Sequence, residues 1–132
     1  MMLLSFFRSY WRGILISLCV IFLSSTSPSD FEKIPVPVFD GFDKIVHFLM
    51  YFGLTIACTF DFRHNKQQTN NKLYFSVYCI GYPFLLGGIL EIVQWQFIPL
   101  RTGSRFDIIA NLVGIVIGYL VMKYLIKNRT NN

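Results

Sequence analysis

The chain reads as an all-α polytopic membrane protein, a compact bundle of four transmembrane helices forming one domain over residues 1–132. Three observations predict it. Hydrophobic residues fill 54% of the chain and charged residues 14%, where soluble domains carry about a quarter charged; mean hydropathy is +0.50. The apolar residues fall into four runs, each near the length a bilayer demands. The net charge of +5 is spread over the flanks of those runs rather than gathered in a block. It therefore reads as a set of topology determinants with affinity for anionic lipid headgroups. No basic face or motif accompanies it, so nucleic acid is not an expected partner.

The first helix is expected at about residues 6–24. Arg8 and Arg12 interrupt its start, and Phe6, Phe7, Tyr10 and Trp11 extend its apolar length, with the arginines snorkelling inward and the aromatics at the interface. Two arginines, a short apolar core and the small residues SSTS also describe a signal peptide; a retained helix is the preferred reading. Pro28, Pro35 and Pro37 make the next stretch a loop. A second helix at 43–60 carries Asp43, His47 and Tyr51 at four-residue spacing, which puts all three on one side. Residues 61–72 read as a polar loop. The third helix, 73–97, contains Pro83, which should kink it, and Gly87 and Gly88, which allow close approach of a neighbour. The fourth, 106–126, carries Gly114 and Gly118 as a GxxxG packing face. Cys19, Cys58 and Cys79 each sit within an apolar run, without a CxxC or Cys/His pairing, and read as packing or lipid-facing residues.

Lysine and arginine positions set the expected orientation. Arg8, Arg12, Arg63, Lys66, Lys72, Lys123, Lys127 and Arg129 fall on one side; Lys33, Lys44, Arg101 and Arg105 fall on the other. The excess predicts both termini on the cytoplasmic side. The start of helix two, the end of helix three and the start of helix four then share the outer side. Those ends hold nearly all the intramembrane polar chemistry: Asp43, Lys44, His47, Tyr51, Glu91, Gln94, Arg101, Ser104, Asp107 and Asn111. Ionisable groups at a membrane edge are costly unless paired, so this is the expected site.

Duller roles compete at several of these positions. Asp40 and Ser104 each precede an acid by three residues and an apolar run, as helix caps do. Capping accounts for neither His47 nor Asn111, one turn deeper. Glu91 lies at a helix C-terminus, where the dipole disfavours an acid. It should therefore contact Arg101, Arg105 or Asn111, with His47 facing the same cavity. Asp43 and His47 form a plausible carboxylate–imidazole pair. Arg101 and Arg105 suit an anion clamp or a salt bridge equally well. Tyr51, Trp95 and Phe97 read as interfacial anchors. Asp43, His47, Glu91 and Asp107 have the chemistry to hold a divalent metal, but no spacing among them is diagnostic. Neither metal nor cofactor is expected, and no GxSxG or HExxH motif marks a catalytic centre.

Two stretches taken together resemble the VanZ-like membrane proteins: DKIVHFLMYF at 43–52 and EIVQWQFIPLRTGSRFDIIANLVGIVIG at 91–118. The family pattern falls on Asp43, Lys44, His47, Phe48, Tyr51, Glu91, Gln94, Pro99, Arg101, Ser104, Asp107, Asn111 and Gly114. The resemblance implies a bacterial cytoplasmic (inner) membrane protein. The founding member of that family is associated with low-level resistance to the glycopeptide teicoplanin. Expected partners are membrane lipids, a lipid-linked cell-wall intermediate or a lipoglycopeptide. A small membrane enzyme acting on a lipid-linked or phosphate-bearing substrate is the alternative.

Overall fold

The computed structural model describes residues 2–26, 41–64, 72–97 and 105–130. These form four helices: α1 (Met2–Ser25), α2 (Phe42–His64), α3 (Lys72–Phe97) and α4 (Arg105–Thr130). Each contains a span long and apolar enough to cross a membrane. The burial pattern is that of a bundle solvated by hydrocarbon. Leu85, Ile89, Trp95 and Leu120 point outward, while His47, Thr55, Asp61, Glu91, Gln94 and Asn111 are buried between helices. Where the surrounding solvent is apolar, helices associate through close packing and polar contacts rather than through a hydrophobic driving force.

α2 is the central helix, and its packing follows from glycine. Gly114 lies so close to α2 that a Cβ there would sit 2.5 Å from the Phe48 carbonyl oxygen and 3.0 Å from the Phe52 nitrogen. Four residues on, a Cβ at Gly118 would lie 3.0 Å from the Phe52 carbonyl oxygen and 3.2 Å from Thr55 Cβ. The register advances together on both helices, so α2 and α4 run parallel with their backbones in contact. α1 crosses the opposite end of α2 through Gly13, where an added Cβ would meet Tyr78 Oη at 2.9 Å and Asp61 Oδ2 at 3.3 Å. Gly87 fits against the Tyr51 ring, where an added Cβ would lie 3.2 Å from Cε1. Gly88 departs from its expected packing role. It is exposed, and an added Cβ meets nothing within 4 Å, because it faces a cavity instead of a helix.

The helix ends and interruptions have local causes. Gly41 adopts φ +94°, a left-handed conformation open to glycine at little cost, and its carbonyl accepts the N–H groups of Lys44 and Ile45. α3 passes through a π-helical segment, Val77–Gly81, where the Tyr82 N–H reaches back to the Val77 carbonyl. Pro83 follows directly; it has no N–H to give and its ring would crowd the turn before it. The widened turn is the form the expected disturbance takes. α2 runs four residues beyond the expected end at 60, to His64, because Asp61 and Phe62 are buried against α1 and α3 rather than exposed in a loop. α1 begins earlier than expected and bends at Tyr10 (φ −118°, ψ 17°), whose buried ring packs on Tyr78 at a centroid distance of 5.1 Å.

Candidate functional site

The start of α2, the end of α3 and the start of α4 meet at one end of the bundle. His47 contributes from the second turn of α2, Glu91 from α3, and Asp107 and Asn111 from successive turns of α4; all four are buried. The Asn111 amide joins the three helices. Its Nδ2 donates to Glu91 Oε1 at 3.3 Å, and its Oδ1 lies 3.0 Å from His47 Nδ1. An amide oxygen only accepts, so His47 carries its proton on Nδ1 and donates. His47 Nδ1 also lies 3.7 Å from Glu91 Oε1. The buried acid at the α3 C-terminus thus has its partners on two neighbouring helices, which answers both the dipole and the cost of burial.

Asp43 is placed elsewhere. Its carboxylate is half exposed and bound by Lys44 Nζ at 3.2 Å. The carboxylate beside His47 is therefore Glu91, from another helix, and not the acid one turn earlier. Helical spacing put Asp43 and His47 on a common side but could not say how deep each lies. Tyr51 is a core residue rather than an interfacial anchor: it is 1% exposed and its ring is the surface on which Gly87 rests. Trp95 and Phe97 do face outward. Gln94 points toward α1, where its Nε2 donates to the Ser24 carbonyl at 2.9 Å. In a continuing helix that carbonyl would take the N–H four residues on, but residue 28 is proline and has none. Arg101 and Ser104 lie outside the described residues, as does Asp40.

A cavity of about 440 Å³ opens beside the cluster, between α3 and α4. Glu91, Asn111 and Arg105 supply its polar groups; Phe84, Trp95 and Leu112 are among its apolar walls, and Gly88 leaves room in it. Many of these lining side chains are exposed on the outer face of the bundle, so the cavity communicates with the surroundings of the helices. One polar end and a long apolar flank are what an amphiphile presents in mirror image.

Sequence reasoning missed a second polar cluster, at the other end of the bundle. Asp61, fully buried, accepts the Gly13 N–H at 2.7 Å and pairs with Arg12 Nη1 at 3.2 Å. Arg12 is thus an ion-pair partner as well as a flanking charge. Next to them Ser17 Oγ donates to the Gly13 carbonyl, and it lies 2.7 Å from Tyr82 Oη. The available signal was an arginine in the first apolar run and an aspartate at the end of the second, which antiparallel packing would bring together.

Fold and site together define a small multi-pass membrane protein that keeps its polar chemistry inside a four-helix bundle. The chain belongs to the VanZ/LLP1 family, whose sequence profile matches residues 1–127 and so reaches from α1 into the last turn of α4. No curated protein and no solved structure matches it.

Proposed function

We propose that the protein is an envelope factor of the bacterial cytoplasmic membrane that binds an anionic amphiphile in the cavity between α3 and α4. Both termini are cytoplasmic in this reading, which follows the lysine and arginine distribution, and the cavity lies toward the outer leaflet. The observation that carries it is the cavity's composition. Arg105 stands at the polar end with Glu91 and Asn111, and aromatic and aliphatic side chains form the rest. A guanidinium suits a phosphate or carboxylate headgroup, and the apolar walls suit its hydrocarbon chain. Phospholipids, lipid-linked wall intermediates and lipoglycopeptides such as teicoplanin share that chemistry. Sequestering one of the last two would connect the protein to glycopeptide resistance.

The test is binding by purified protein in nanodiscs, with and without an anionic lipid or a lipoglycopeptide. Arg105→Ala is expected to weaken anionic ligands at least about tenfold, the loss of one charge-assisted contact, and to leave zwitterionic lipids unaffected. Equal binding of both ligand types by wild type and variant would remove the proposal. In a susceptible host, wild type but not Arg105→Ala should alter teicoplanin sensitivity if the ligand is a wall intermediate or the antibiotic. An enzymatic reading draws on His47 and Glu91, an imidazole and a carboxylate 3.7 Å apart, the pairing general acid–base catalysis uses. New products from envelope lipids, detected by mass spectrometry, would favour it over binding alone.

A further inference from the structure

We infer that His47, Glu91 and Asp107 form a divalent-metal site, with zinc the ion that fits best. One nitrogen of His47 and one carboxylate oxygen from each acid lie within 4.8 Å of one another. They come from three different helices, and all three residues are buried. Ligands around one tetrahedral zinc ion sit roughly 3.4 Å apart. The set therefore needs to close by at most about 1.4 Å, a distance on the scale of small side-chain torsional changes.

Charge is the first reason. Two carboxylates and an imidazole brought together from three helices make an oxygen- and nitrogen-donor set that a divalent cation complements. Two cationic side chains among the described residues belong to this end of the bundle. Lys44 holds Asp43 at the exposed start of α2, and Arg105 lines the cavity with its residue exposed. A divalent ion would neutralise both acids. It would leave His47 neutral, the form that ligates a metal.

Donor chemistry is the second. One imidazole and two carboxylates suit zinc or manganese, and zinc binds such sites more tightly. Asn111 supplies the support metal sites need. It accepts from His47 Nδ1 and donates to Glu91 Oε1, holding two of the three ligands in orientation at once.

Access is the third. Of the three ligands, Glu91 lines the cavity, beside Asn111, so the donor set borders a space through which an ion can approach. Three protein ligands with one position open is the arrangement of zinc sites that polarise a bound oxygen. The site does not depend on the amphiphile, because an ion can load with the cavity empty.

The experiment is a zinc titration of the full chain, purified in detergent without added lipid and with a tag free of histidine. Wild type should hold about one equivalent of zinc per chain by elemental analysis. Its melting temperature should rise saturably with zinc and fall back with chelator. Cobalt in place of zinc should give the visible absorption bands of a low-symmetry site. Asp107→Asn and His47→Gln should each lower zinc content at least about tenfold, whereas Asp43→Asn, exposed and outside the site, should keep it. Where a site variant fails to fold, the wild-type stoichiometry, melting shift and cobalt spectrum decide. Wild type with under about a tenth of an equivalent and no melting shift overturns the inference. So does unchanged zinc content in a folded Asp107→Asn variant. Either result leaves amphiphile binding, measured separately on Arg105→Ala, untouched.

Discussion

Both ends of the bundle bury an acid, and they do so in opposite ways. At one end Asp61 is fully enclosed, with one oxygen on the Gly13 N–H and the other on Arg12. That acid, its cation and its backbone donor all belong to the protein, and together they fasten α1 to α2. At the other end Glu91 and Asp107 lie with His47 and Asn111 beside a cavity of about 440 Å³. There the polar groups are ligand-type donors from three helices, and the space next to them is large enough for a guest. The difference teaches how to read a buried charge in a membrane bundle. Where the chain packs tightly around it, the charge is structural; where it borders open space, binding is the role proposed for it.

The largest expected effect breaks the structural end. Asp61→Ala leaves Arg12 without its carboxylate and the Gly13 N–H without an acceptor, a loss of about 3–5 kcal/mol. Unfolding in mixed SDS micelles should show it, and Arg12→Ala should destabilise as well, because it leaves the fully buried Asp61 carboxylate without its cation. If Asp61→Ala matches wild type, the fastening role is wrong. Next is Gly114→Ala, whose new Cβ would fall 2.5 Å from the Phe48 carbonyl oxygen. Backbone must move to admit it, at up to about 3 kcal/mol. Gly88→Ala, facing open space, is the control that should melt no lower than wild type. Gln94→Leu takes the donor from the Ser24 carbonyl and should cost about 1–2 kcal/mol, read in the same assay. Asp43→Asn should change stability by under about 1 kcal/mol, since its pair with Lys44 is exposed.

The two ends also differed in how much of them could be read from sequence. The end proposed for binding was legible because its residues repeat at helical spacings inside apolar runs, and because the charge distribution independently put the three helix ends on one side. The GxxxG pair was legible for the same reason: both glycines lie one turn apart on a single face. Depth was not. Asp43 and His47 share a side, yet one is exposed and one is buried, and that depends on where α3 and α4 lie. Tyr51 looked like an interfacial ring until Gly87 was seen to rest on it. Asp61 was missed because it borders a polar stretch, where a local window counts it as loop. Its partner Arg12 is 49 residues away, beyond the reach of any local pattern. Pro83 announced a disturbance in α3, but only the backbone shows that the disturbance is a π-helical segment before the proline.

The claim that one end is a binding site and not a second structural fastening is tested most directly by filling the cavity without touching the polar cluster. Gly88 lines the cavity and has nothing within 4 Å of an added Cβ, so Gly88→Leu places an isobutyl group in the space proposed for the guest. Native mass spectrometry of wild type and variant, released from identical nanodiscs, is the measurement. The account predicts that wild type carries a bound amphiphile and that Gly88→Leu loses it while remaining a folded four-helix protein. A variant that retains the same adduct in the same amount would contradict it.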